Sequence, residues 1–385
     1  MTSGLRCFAF QFGIRVEPTF FMPHNSFAAT DLRYKGFIRS HEWSVCVGAG
    51  ISAGIMPTWF DFTRAVFNRA TSQILSDASF RNLATSMGWG LDAWLQAGLN
   101  SMVVQGHTRD DFFAFIEDEL YRDILEKADN SSLKAILLIG LSNPKRNKPA
   151  DSLKLLEFFR KEFSDSTLLA LAKWLRRAKR CGNPLQAVLT FNADGLLDLI
   201  ITLLALEEQI HTNAGRGYPI DEFRRVLRAS DDCRHSTPIF HLHGCVVPRC
   251  GNSQRGRESR EGLVFPESGY SRISSTVHTW QQTVFLSHAQ SQRLVFIGLS
   301  MSDLNLRRWL AWCTANAVQE HQHRSQEFRG EFILGENLWL TIRPKEKEHE
   351  IALESSLLHL GVRIAWLESW AELPTALDNL LGVGA

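Results

Sequence analysis

The side chains best suited to chemistry in this sequence sit where apolar runs end. Asn192 and Asp194 close the segment QAVLTFNAD (186–194), and two-residue spacing in an extended chain turns both toward one cleft. The Asn192 amide could there hold ribose hydroxyls or a positioned water. Helix capping is the plainer alternative, because a helical run begins at Leu196. His241 and His243, in PIFHLHG (238–244), have the same spacing, so a strand would place both imidazoles on one face. His243, followed by Gly244 at the strand exit, is the better placed base. Cys245 and Cys250 follow closely, which raises zinc as an alternative. The spacing of these four residues matches no standard zinc arrangement, and no metal is expected.

Two further strand ends carry glycines and hydroxyls. In WSVCVGAGISAGIMPTW (43–59), apolar and β-favouring residues lead into Gly48, Ala49 and Gly50, then Ser52, and Pro57 precedes an aromatic helical segment. A strand, a glycine turn and a helix start let backbone N–H groups approach a diphosphate, since glycine has no Cβ to hold it away. Alone, this is also what a tight turn in any α/β protein looks like. In FIGLSMSDLN (296–305), Gly298 and Ser300 follow a strand and Asp303 stands near a helix N-terminus, where negative charge is favourable. Taken alone, a helix capped by Asp or Ser explains those residues better than a second nucleotide contact.

The elements that must position these groups are legible as apolar runs. Strands are predicted at Trp43–Val47, Gln186–Phe191, Pro238–Leu242, Arg293–Ile297, Leu338–Ile342 and Val362–Leu367, with helices at Leu196–Gln209, Ser275–Ser287, Leu304–Ala317 and Glu348–His359. Strands alternating with helices imply an α/β fold: a Rossmann-like parallel sheet with helices on both faces, whose ligands bind beyond the carboxyl ends of the strands. From Asp61 to Arg180 the pattern is helical almost throughout, much longer than an ordinary crossover. The expected division is therefore an N-terminal arm (1–40), a Rossmann-like domain (41–64 and 184–385) and a large helical insertion (65–183). In the arm, Phe8, Phe10, Phe12, Ile14 and Val16 alternate like a strand.

Composition narrows the function classes. The 385 residues are 44% hydrophobic, enough for a sizeable core, and 42 Lys+Arg against 41 Asp+Glu leave a formal charge of +1. Bulk attraction to nucleic acid or to a membrane surface is therefore not expected. Seven cysteines, an odd number without a C-x-x-C pair, speak against a disulfide framework and for a reducing, cytoplasmic setting. No secretory leader is evident. The apolar runs at Ala135–Leu141 and Leu196–Leu206 are shorter than the roughly 20 residues that span a bilayer.

Taken in order, GAGIS (48–52), TFNAD (190–194), HLHG (241–244) and GLSMSDLN (298–305) resemble the motifs of the sirtuin-like family. The likeness is to its bacterial branch of NAD-consuming anti-phage proteins, and the Tyr270–Trp280 region is similar as well. The zinc-containing deacylases differ, since a four-cysteine module follows their histidine motif and only Cys245 and Cys250 occur here. The resemblance implies that NAD+ is a substrate and that Asn192 engages the nicotinamide ribose and water, with His243 as the base. By the same resemblance Asp194 contacts the nicotinamide side, Gly48, Ala49, Gly50 and Ser52 hold the diphosphate, and Gly298, Ser300 and Asp303 lie near the adenosine half. The expected activity is NAD+ hydrolysis to nicotinamide and ADP-ribose in phage defence. The family commonly forms homo-oligomers and often works with a partner such as an ATPase translocase or a short Argonaute-like protein. An NAD- or ADP-ribose-binding regulatory module without catalysis is the alternative, and a protein-lysine deacylase a more distant one.

Overall fold

The structure is a computed structural model that describes residues 26–38, 42–212, 222–248, 263–276, 279–324 and 337–382. Eight parallel strands form one sheet: β1 (Ser26–Ala28), β2 (Trp43–Val47), β3 (Leu185–Thr190), β4 (Phe223–Val226), β5 (Thr237–His241), β6 (Arg293–Ile297), β7 (Asn337–Ile342) and β8 (Val362–Leu367). Their spatial order is β1-β8-β7-β6-β2-β3-β5-β4. The chain moves from β2 outward through β3 and β5, then crosses back to place β6 on the other side of β2. The carboxyl end of β2 is thus a topological switch point, where open α/β sheets place their ligands.

β2, β6 and β8 are buried at every position, as continuous apolar strands covered on both faces must be. Alternate residues feed two apolar cores. Val45, Val47, Val188, Val295 and Ile297 face one core. Cys46, Leu189, Leu294 and Phe296 face the other. The helices between β2 and β3 are α1 (Trp59–Thr71), α2 (Asp77–Met87), α3 (Leu91–Val104), α4 (Arg109–Lys127), α5 (Ser131–Ser142), α6 (Pro149–Glu162) and α7 (Thr167–Arg180). Their Phe62, Leu95, Phe112, Leu137, Leu155 and Leu169 join the first core directly, as do Leu199 of α8 (Leu196–His211) and residues of the C-terminal helix. The second core is closed by α9 (Glu267–Ser275), α10 (Trp280–Ser291), α11 (Leu304–Arg324) and α12 (Lys347–Leu357), through Ile273, Phe285, Trp309 and Leu357. The last helix, α13 (Leu373–Leu381), accepts the Gly36 and Ile38 N–H groups at its Asn379 and Leu380 carbonyls.

Some expectations change. The alternating segment Phe8–Val16 lies outside the described residues. Residues 26–38, read as part of an arm, are woven into the sheet edge. Ser26, Phe27 and Ala28 pair with Ile364, Ala365 and Trp366, and the Asn379 amide donates to the Ala29 and Asp31 carbonyls. β4 carries Arg224 and Arg225 in a four-residue strand at the opposite edge, where charge protects the rim and hides the strand from an apolar pattern. After the glycine turn the chain forms a short 3-10 helix, Ala49–Ser52. The α-helix waits until Trp59, beyond Pro57, where the Thr58 hydroxyl caps it by accepting from the Asp61 N–H.

Candidate active site

Register aligns the four chemistry-bearing strand ends in one row. Val47 pairs with Ile297 on one side and with Thr190 on the other, and Thr190 pairs with His241. The next residues of β6, β2, β3 and β5 are Gly298, Gly48, Phe191 and Leu242, so all four loops leave the sheet at the same level. Ladder-like bonds continue one step further, with the Phe191 N–H donating to Val47 O (3.0 Å) and the Leu242 N–H to Thr190 O (2.9 Å).

The glycine loop is pressed onto the β6 loop. The Gly48 N–H donates to Ile297 O at 3.0 Å and the Gly50 N–H to Gly298 O at 2.9 Å. A Cβ on Gly48 would lie 2.6 Å from Gly298 O, and one on Gly50 2.8 Å from the same oxygen. These glycines are needed for loop-to-loop contact, and two amides of the turn are already engaged there. Both donors are therefore occupied within the protein.

Ser52, Asn192 and Asp194 come together beneath that wall, all buried. The Ser52 hydroxyl donates to Asp194 Oδ2 at 3.3 Å, and Asp194 Oδ1 accepts from the Leu196 N–H at 3.0 Å. Asp194 therefore satisfies the first N–H of α8 from the position before the N-cap, Gly195, while also tying the β2 loop to the β3 loop. Burial pushes its carboxyl up to about 6, against the hydrogen bonds from Leu196 and Ser52. The Asn192 N–H is satisfied by the Thr190 hydroxyl at 3.1 Å, but its side-chain Oδ1 is buried with no hydrogen-bond partner. Such an orphaned acceptor is uncommon, and it marks a place where a ligand donor fits.

His241 and His243 do not share a face, contrary to the strand expectation. β5 ends at His241, and the chain then turns through Gly244, whose φ is 78°, a left-handed value that suits glycine. His241 stays with the first core, near Asp198 and Arg225, and burial lowers its imidazole to about 4. His243 faces the second core, its ring edge-on to Phe191 (5.0 Å) and Tyr270 (5.3 Å). Its Nε2 lacks a hydrogen bond and stands 3.7 Å from Asp303 Oδ2. Burial lowers the His243 imidazole and the Asp303 charge opposes that, leaving it below the ordinary value and hence a neutral base near pH 7.

Asp303 thus stands beside the histidine, reached across the ends of β2 and β3 from the loop after β6. Its Oδ1 accepts from the Leu306 N–H at 2.8 Å at the start of α11, as the helix-cap alternative anticipated. Ser300 is exposed and pairs with the Ser302 hydroxyl at 2.6 Å, and Gly298 takes φ 66° where a Cβ would strike the Ile51 nitrogen. Among the described residues no group of three or more His, Cys, Asp or Glu could hold a metal, and Cys250 lies outside them.

Residues 186–360 match the family model of the SIR2-like domain. This SIR2-like segment begins at β3 and stops just before β8. It carries Asn192, Asp194, His243, Ser300 and Asp303, and leaves out the glycine loop and the helices that precede β3. A SIR2-like domain implies NAD binding and suggests an NAD-dependent enzyme family. No curated protein matches the chain.

Two groups of side chains at the site were given no role by the motifs. Phe191, inside TFNAD, and Tyr270, in the further region of resemblance, meet the His243 ring edge-on. Arg225 forms a buried ion pair with Asp198 in the first turn of α8 and donates to the Leu141 carbonyl at 2.9 Å, joining the end of α5 to the SIR2-like segment. No helix of the described residues is long and apolar enough to cross a membrane.

Proposed function

We propose that this protein is an NAD+ nucleosidase that cleaves the nicotinamide–ribose bond and releases nicotinamide and ADP-ribose. The observation that carries the reading is the buried, unpartnered Asn192 Oδ1, at a strand end that registers in one row with the β5 end, two residues before His243, and with the glycine loop at the switch point. A buried polar atom without a partner costs free energy, and the cost is offset when a ligand supplies the missing hydrogen bond.

The chemistry asked of the residues is modest. Nicotinamide leaves as a neutral molecule, so the leaving group requires little acid assistance. Asn192 orients ribose hydroxyls or the attacking water, and His243, neutral because it is buried, accepts a proton. Ser52 and Asp194 form the floor on the nicotinamide side, and Gly48, Ala49 and Gly50 with Gly298 and Ser300 form the wall along the rest of the dinucleotide.

The wider proposal is an effector of phage defence by NAD+ depletion, held inactive until oligomerisation or a partner protein releases it. Incubation of the purified protein with NAD+ and chromatography of the products tests the enzymatic part. Nicotinamide and ADP-ribose should accumulate with wild type and not with Asn192→Ala. Binding of NAD+ without turnover under activating conditions would instead identify a regulatory module, and turnover only with an acylated peptide would identify a deacylase.

A further inference from the structure

Asp303 has two carboxylate oxygens with two different neighbours. Oδ1 accepts from the Leu306 N–H at 2.8 Å and so fixes the side chain at the first turn of α11. That leaves Oδ2 directed at His243 Nε2, 3.7 Å away. The imidazole cannot swing aside, because Phe191 meets it edge-on at 5.0 Å and Tyr270 at 5.3 Å, and the His243 carbonyl accepts from the Val264 N–H at 3.1 Å. Tyr270 is the other titratable group against the ring. Burial, together with the charges of Asp303 and of Asp92 on α3, holds its phenol well above its ordinary value, so it stays neutral. Among the described residues, Asp303 is therefore the carboxylate that faces the histidine.

We propose that Asp303 is a positioning residue for His243: it holds the proton of the resting imidazole on Nε2, leaves the Nδ1 lone pair to act as base, and stabilises the imidazolium formed during the reaction. The tautomer follows because a carboxylate beside one ring nitrogen favours N–H there. The separation is longer than a formed hydrogen bond, as is common before a substrate closes a site. In the hydrolytic step the water oxygen bonds to the ribose carbon while its proton passes to Nδ1. The carbon–nitrogen bond breaks with its electron pair going to the nicotinamide nitrogen, and the imidazolium later returns its proton to solvent. The pairing rests on the proposed function only for the identity of the proton donor. In this proposal Asp303 serves His243, where the resemblance had placed it near the adenosine half.

The two-oxygen arrangement supplies a clean variant. Asp303→Asn keeps an acceptor for the Leu306 N–H and removes the charge facing His243. The ring nitrogens of His243, followed by NMR through a pH titration of the full chain, should titrate about one unit lower in Asp303→Asn than in wild type. In turnover, the acid limb of the pH profile should move to lower pH and the plateau should fall at least about tenfold, the least expected of a weakened base. Asp303→Asn should add no further loss in a His243→Ala background. An unchanged His243 titration in the folded variant overturns the pairing, and so does an additional loss in the double variant. A lowered His243 titration in Asp303→Asn, with a wild-type protein that releases no nicotinamide, keeps the pairing and removes the hydrolase reading.

Discussion

The Ser52 hydroxyl reaches Asp194 Oδ2 at 3.3 Å, so the loops that follow β2 and β3 are joined through the side chain of a buried carboxylate. Burial raises that carboxyl from 3.8 to about 6. The folded protein therefore binds more protons than the unfolded chain between these pH values, and the contribution of Asp194 to stability falls as pH rises through them. A shift of this size corresponds to roughly 3 kcal/mol lost above pH 6. Asp194→Asn, which keeps the acceptor for the Leu196 N–H, should remove this pH dependence and lose nicotinamide release. Urea denaturation of wild type and variant at pH 4, 5, 6 and 7 checks it, and parallel curves for the two proteins would contradict the assignment.

His241 should show the opposite slope. Burial lowers its pKa from 6.5 to about 4, so the unfolded chain binds more protons in that interval and stability is lost as pH falls from 6.5 toward 4. The Asn192 backbone is a polar neighbour of the ring, but neither nitrogen makes a hydrogen bond of full geometry, so an apolar replacement gives up little. His241→Leu should be at least as stable as wild type at pH 5, by about 1–3 kcal/mol, with a smaller difference at pH 7. The comparison is a pair of denaturation curves at the two pH values. An equal effect at both would mean that His241 does not titrate between them.

The central strands were legible because they are buried on both faces, and a strand that must be apolar at every position announces itself. β6 and β8 lie at the residues the apolar runs predict. β1 and β4 were not legible, being short edge strands, one of three residues and the other with two arginines at its centre. At the site, the motifs located the strand ends, but not which side of the sheet each side chain takes. His241 and His243 part because the strand stops at His241, a local event with no periodic signal beyond the glycine that follows. The approach of Asp303 to His243 depends on two loops from strands separated by β2 and β3, and nothing in the spacing of either motif encodes it.

Gly48 and Gly50 supply a prediction about loop contact rather than backbone freedom. Gly48 has φ −121°, which any residue adopts, yet its added Cβ would lie 2.5 Å from Leu299 Cδ2 and 2.6 Å from Gly298 O. For Gly50 the obstacles are the Gly298 oxygen and Cα, at 2.8 and 2.9 Å, and backbone cannot rotate away. Gly50→Ala should force the β2 and β6 loops apart, at a cost of about 1–3 kcal/mol in stability. Because the parted loops form the wall of the cleft, KM for NAD+ should rise more than kcat falls. Steady-state kinetics with a melting curve checks both, and a variant with wild-type KM would show that the wall does not touch the substrate.

Arg225 and Asp198 make the costliest polar contact to disturb. Both are largely buried, at 13% and 8% side-chain exposure, and Arg225 also donates to the Leu141 carbonyl at the end of α5. Burial is the largest single influence and disfavours the guanidinium charge, but the charge and hydrogen bond of Asp198, with Cys245 and Tyr121, together outweigh it and raise the group above its ordinary value. Arg225→Met should destabilise the fold by roughly 3–5 kcal/mol, since it leaves a buried carboxylate without compensation. Arg225→Met with Asp198→Asn should recover more than half of that loss, because the uncompensated charge is gone. The double variant still lacks the tie between α5 and the start of α8, one turn beyond Asp194, so its nicotinamide release should remain below wild type even where its stability recovers. A denaturation cycle over the four proteins, with turnover measured on each, separates these effects. Additive stability changes would mean that the ion pair carries none of the coupling assigned to it.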